Sequence, residues 1–141
     1  MNPRLMMLAV ATVLIAADVP KDDAAKKEKE ELQDTWSHIE VEKDGQKVHL
    51  TGRCIITGDT ILLFGLTESW VVSYKLDTTA KPRAIDVTIT EGEHKGEKWQ
   101  GIYSLRGDKL KMCFNKNGKG RPKVFATFKG EENVQYFLTR E

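Results

Sequence analysis

The stretch that decides the fold is Lys98-Trp99-Gln100-Gly101-Ile102-Tyr103-Ser104-Leu105-Arg106-Gly107-Asp108-Lys109-Leu110-Lys111-Met112-Cys113-Phe114. It reads as two strands back to back: Lys98 to Leu105, a Gly107-Asp108 turn, then Lys109 to Phe114. In the second run strict alternation sets Leu110, Met112 and Phe114 on one face and Lys109, Lys111 and Cys113 on the other. Cys113 therefore does not share the face of its apolar neighbours. Arg106-Gly107-Asp108 also spells a cell-adhesion tripeptide, but its glycine stands where the hairpin needs one, and the turn accounts for it.

The same texture extends in both directions. Upstream, short β-branched and aromatic runs are separated by Gly and Asp: Thr35 to Val41, Val48 to Thr57, Thr60 to Phe64, Trp70 to Leu76 and Ala84 to Thr90. Asp44-Gly45 and Gly58-Asp59 mark hairpin turns. In the first of these runs alternation groups Trp36 with His38 and sets Thr35, Ile39 and Val41 on the opposite face. Downstream, Val124 to Phe128 and Val134 to Arg140 complete a series of about eight or nine strands. No helical period of crossover length intervenes, so the sheet is expected to be antiparallel throughout. An up-and-down meander of this size closes into a barrel more readily than it splits into a sandwich, because closure removes the exposed edges.

Ahead of the strands the chain has two further parts. Met1 to Ala17 begins with Arg4, runs through apolar Leu5 to Ile15 and ends in Ala16-Ala17, the three parts of a secretory signal peptide. Its apolar run is about half the ~20 residues a spanning helix needs, so stable membrane insertion after cleavage is not expected. Residues 18–31 are dense in Lys, Glu and Ala and read as a charged helical or flexible leader. The expected organisation is therefore signal 1–17, leader 18–31 and barrel 32–141, in a secreted or periplasmic setting.

The 141-residue chain has a formal net charge of +1, and beyond its signal segment it carries 21 basic and 21 acidic residues. That balance excludes a general nucleic-acid footprint, which requires a basic surplus. Lys116, Lys119, Arg121 and Lys123 form one basic loop, read as solvated. Cys54 and Cys113 are the only cysteines; in an oxidising compartment two thiols of one domain can pair, closing a loop of about 60 residues.

Residue types with chemistry are present without the spacing that chemistry requires. His38, His49 and His94 lie on separate segments, and no His-x-x-x-His or Cys-x-x-Cys occurs, so neither metal nor cofactor is expected. Asp77 and Asp86 flank a turn containing Pro82, where all three are assigned to structure: aspartates beside such a loop cap backbone amides. No triad or dyad is assembled, so the chain is read as non-enzymatic. In a barrel alternate positions point inward, and the candidates for its lining are Trp70, Tyr74, Trp99, Tyr103 and Phe114.

An ordered series of short motifs is similar to a known family. They are Leu32-Gln33-Asp34-Thr35-Trp36, Asp44-Gly45, Tyr74-Lys75-Leu76-Asp77, Lys81-Pro82-Arg83-Ala84-Ile85-Asp86, Gly101-Ile102-Tyr103, Asp108 to Phe114, Arg121-Pro122 and Leu138-Thr139-Arg140. Together they resemble the small, uncharacterised secreted domain abundant in planctomycete bacteria and sometimes described as lipocalin-like. Asp34 stands where that family usually has glycine. The resemblance implies a lipocalin-like barrel and an exported setting, and carries no activity. It also implies that Arg140, after the last strand, packs over Trp36 as a structural staple.

Two functions follow as expectations. The first is an exported binding module taking a small apolar ligand in the barrel. The second is a cell-envelope protein-interaction or structural domain with a filled core. The size of the lumen separates them, since ligand pockets start at ~300 Å³.

Overall fold

The computed structural model describes residues 21–65, 69–118 and 120–141. The signal segment and Lys119 lie outside the described residues. Helix α1 (Lys21–Leu32) is almost wholly polar and buries only its last residue, Leu32, in the core. Nine strands follow: β1 (Asp34–Lys43), β2 (Gln46–Leu50), β3 (Arg53–Thr57), β4 (Thr60–Phe64), β5 (Ser69–Asp77), β6 (Ala84–Ile89), β7 (Lys98–Arg106), β8 (Lys109–Asn115) and β9 (Asn133–Arg140).

Every pairing is antiparallel, the strand order is β2-β1-β3-β4-β5-β6-β7-β8-β9, and β1 also pairs with β9, which closes the barrel. One edge of β1 is taken by β9 along most of its length, so β2 and β3 share the other. The expected run Val48 to Thr57 is accordingly two strands with a break at Thr51-Gly52. The break follows from crowding: a Cβ on Gly52 would lie 2.0 Å from the Phe64 carbonyl oxygen, so the backbones meet there as only glycine permits.

Two further expectations are corrected. Trp36 and Ile39 do not face opposite ways; both are in the core, at 0% and 1% exposure. His38 is an extra residue in β1 with φ +47°, and the β1–β9 register shifts by one between Ser37 and Glu40. This bulge resets the alternation and turns His38 outward. Val124 to Phe128 is not a strand. β8 and β9 pair directly from Lys109↔Thr139 to Asn115↔Asn133, leaving no slot between them for a further strand.

Residues 120–128 instead lie against the outside of the wall. The Arg121 guanidinium donates to the carbonyls of Gly101 (2.8 Å) and Ile85 (3.3 Å) and pairs with Asp86 at 2.7 Å. Thr127 donates to the Glu42 carboxylate at 2.8 Å and accepts from the Gly45 amide. This cover buries Cys113, whose Sγ lies 3.8 Å from the Ala126 carbonyl on the outer side.

Candidate functional site

The chain's alternation fixes which residues meet inside the barrel. Because hairpins follow one another, α1, the Gly58-Asp59 and Gly107-Asp108 turns, Arg83 and Arg140 gather at one end. The residues that follow β4 and β6 and those of 120–132 gather at the other.

The helix end is plugged. Trp36 donates its indole N–H to the Leu32 carbonyl at 3.1 Å, and the Arg140 guanidinium carbon stands 4.4 Å from the Trp36 ring centroid. The same guanidinium donates to Asp34 (3.0 Å) and to the carbonyls of Glu31 (3.1 Å) and Gly107 (3.3 Å). One side chain thus joins the C-terminus of α1, the start of β1 and the β7–β8 turn, a favourable place for a cation. That guanidinium, with the Thr35 amide, holds the Asp34 carboxyl below its usual range. Gln33 donates to the Gly58 carbonyl and accepts from its amide at 2.6 Å. Glu28 pairs with Arg83 at 2.6 Å, and Lys29 pairs with Asp59.

Tyr74 and Tyr103 belong to this plug. The Tyr74 hydroxyl donates to the Gly58 carbonyl at 2.9 Å. Tyr103 is 2% exposed, and burial raises its hydroxyl well above the ordinary tyrosine value. Asp77 accepts from the amide and the hydroxyl of Thr79, at 3.0 and 2.6 Å, in the turn that precedes a cis Lys81-Pro82 bond. Asp86 is on the outer wall, paired with Arg121.

Above the plug lies the lumen. Trp70, Trp99 and Phe114 line its free space, while Tyr74 and Tyr103 do not; Cys54, Met112 and Tyr136 are among the others that do. Rings run in sequence from the rim inward: His94 stacks on Trp70 at 5.2 Å, Trp70 meets Trp99 at 5.7 Å, Trp99 meets Phe114 at 6.1 Å, and Phe114 meets Tyr136 at 6.2 Å. Gly101 makes room for this string, since a Cβ there would fall 2.5 Å from the Phe114 ring. These contacts leave a cavity of about 50 Å³.

Cys54 lines this lumen and Cys113 sits on the opposite side of the wall; both are free thiols, and the pairing that two cysteines allow is not made. The reason is the alternation already visible in β8, which turns Cys113 away from Met112 and Phe114. Burial pushes the Cys54 thiol up to about 12 and the Tyr136 hydroxyl to about 12. A thiol so held is protonated at neutral pH, the wrong state for a nucleophile or metal ligand. Among the described residues no group of three or more His, Cys, Asp or Glu converges to hold a metal. His94 is engaged with Glu97 at 2.5 Å, which lowers the Glu97 carboxyl.

The sequence leaves the lumen's size open between hollow and filled, and misses the outer cover over Cys113. Ring spacing carries no sequence signal, whereas the Gly101 gap opposite Phe114 was visible as a glycine inside a strand. No protein-family model, curated protein or solved structure matches the chain.

Proposed function

We propose that the chain is an exported, non-enzymatic interaction domain of the cell envelope, its barrel a filled scaffold and its contacts made on the outside. The observation that carries this reading is the cavity of about 50 Å³. A drug-sized ligand needs ~300 Å³ or more, so the lumen has room for a few atoms between its rings. Support for export comes from the pattern of Met1 to Ala17, and support for a non-enzymatic role from the raised thiol of Cys54.

The competing reading, an apolar small molecule enclosed in the barrel, is tested by titrating oleate and 1-anilinonaphthalene-8-sulfonate while following Trp70 and Trp99 fluorescence. The expected result is no saturable response at micromolar concentrations. Stoichiometric binding that Met112→Trp abolishes by filling the cavity would overturn the proposal.

A further inference from the structure

We infer that the outer wall of β1, β9, β8 and β7, with residues 120–128 strapped across it, is a docking face for a bilayer surface rich in anionic phospholipid. This deepens the interaction-domain reading and rests on it. The alternation of the strands builds the face. Phe137 is the register partner of both Glu40 and Lys111, Lys111 pairs with Ser104, and Lys109 pairs with both Thr139 and Arg106, so these residues share one side of the wall. That side is the outer one, because their chain neighbours Ile39, Leu110, Met112 and Leu138 are in the core.

A groove of about 780 Å³ on this side is lined by Lys47, Arg106, Lys109 and Lys111, with Glu40 as its one carboxylate. Lys47 lies over the Phe137 ring at 4.2 Å and Lys111 over Phe125 at 4.6 Å, so two ammonium groups are held above apolar floors. Arg106, Lys109 and Lys111 form no ion pair among the described residues, Lys47 meets Glu40 only at 3.7 Å, and the neighbouring Asp108 pairs with Arg140. In a chain whose charges otherwise cancel, this face is locally positive.

The strap supplies an apolar part. Its inward side is anchored, with Pro122 and Thr127 buried and Phe125 beneath Lys111. Two tight turns then leave Val124 and Phe128 outward: the Ala126 amide donates to the Val124 carbonyl at 3.0 Å, and the Glu131 amide to the Phe128 carbonyl at 3.1 Å. These side chains are 59% and 58% exposed and are flanked by the exposed Lys123 and Lys129. Four residues of chain keep them within about 14 Å of each other. Glu131 and Glu132 line a separate hollow that includes Arg121 and Lys123.

This combination selects the occupant. The groove's cations do not converge on one point: Lys47 on β2 and Arg106 on β7 stand four strand spacings apart, ~19 Å along the wall. A row that wide matches many separate anions in one plane, as lipid phosphates are, better than a single small anion. Val124 and Phe128 set apolar side chains beside the cations, for which a polysaccharide or nucleic acid has no counterpart. At a bilayer they enter the boundary between headgroups and acyl chains while the lysines and Arg106 meet phosphates.

The test uses residues 18–141, the form expected once the signal segment is removed, and co-sedimentation with vesicles of phosphatidylcholine alone or of equal parts phosphatidylcholine and phosphatidylglycerol. Binding to the anionic vesicles should be saturable, at least about tenfold stronger than to phosphatidylcholine, and weakened by salt. Lys109→Glu with Lys111→Glu should weaken it by about tenfold or more, and so should Val124→Ser with Phe128→Ser. Lys75→Glu, on β5 across the barrel, should weaken it by less than about threefold. Circular dichroism and thermal melting establish that each variant is folded. Phe128→Cys labelled with a nitrobenzoxadiazole dye reports entry into the bilayer: Cys54 and Cys113 are buried, so the new thiol takes the label, and its emission should shift to the blue on anionic vesicles.

No binding to the anionic vesicles would overturn the proposal, as would a dye whose emission does not shift. Indifference to the Lys109 and Lys111 reversals, or equal weakening by Lys75→Glu, would overturn it by removing the face from the binding. Indifference to Val124→Ser with Phe128→Ser would overturn it in favour of a general polyanion surface. Those failures concern this face alone; saturable oleate binding in the lumen would instead fail the interaction-domain reading itself.

Discussion

The two ends of the barrel are built on different principles. At the helix end polar and charged groups close the structure: Arg140 bridges Asp34, Glu31 and Gly107 above the buried Trp36, and Gln33 latches the Gly58 turn. At the other end rings fill the lumen chiefly by stacking, from His94 at the rim to Tyr136 within, with Glu97 bonded to His94 and Trp99 at the rim. The difference separates two ways of excluding space. A directional network sets where the chain enters and leaves, whereas packed aromatics set how much room remains, here about 50 Å³. An end closed by geometry is expected to be sensitive to single truncations, and a rim of partly exposed rings to be tolerant.

The largest effect should come from Trp36→Ala. The indole is completely buried, hydrogen-bonded to Leu32 and covered by Arg140, so its loss leaves a cavity beneath the guanidinium. A loss of about 3–5 kcal/mol in urea unfolding is expected. Trp70→Ala, at the half-buried rim, should cost only about 1–2 kcal/mol. Equal costs would break the comparison, because they would make the rim as constrained as the plug.

How far these ends were legible in the sequence depends on periodicity. The antiparallel meander was readable because each strand is bounded by Gly or Asp, and the inward set Leu110, Met112 and Phe114 followed from alternation. His38 defeated the same rule: a bulge inserts one residue and leaves no compositional mark, so Trp36 and Ile39 were placed on opposite faces. Val124 to Phe128 has strand composition yet no strand partner, because pairing of β8 with β9 is a long-range choice that a local window does not contain. The break at Gly52 likewise depends on Phe64, a residue of the next strand. The cavity was illegible in principle, since volume is a property of packed rings and not of any one of them.

An intermediate effect is expected from Arg140→Ala. Loss of the guanidinium over Trp36 should cost about 0.5–2 kcal/mol, while the exposed ion pair to Asp34 is screened by water. The two parts separate by pH. Asp34 is held below its usual value chiefly by Arg140, so its contribution is present above the ordinary carboxylate pKa and is lost as pH falls through the depressed value. Asp34→Asn should therefore differ from the parent at pH 7 and converge with it in strong acid, whereas Arg140→Ala should keep a deficit there from the missing stack. Convergence of both variants in acid would show that the ion pair, not the stack, holds the plug.

The smallest effect should be that of His94→Ala. The imidazole stacks on Trp70 and bonds Glu97, but it is exposed, and water can replace both contacts. Thermal melting should shift by less than about 4 °C. Glu97 is depressed chiefly by its hydrogen bond to His94, so whatever stability that bond contributes is present above the ordinary Glu value and is lost as pH falls through the depressed one. The shift measured at pH 7 should accordingly shrink at pH 3. A shift as large as that of Trp36→Ala would mean that the ring string is held from its outermost member, and the rim would then be a second plug and not a tolerant edge.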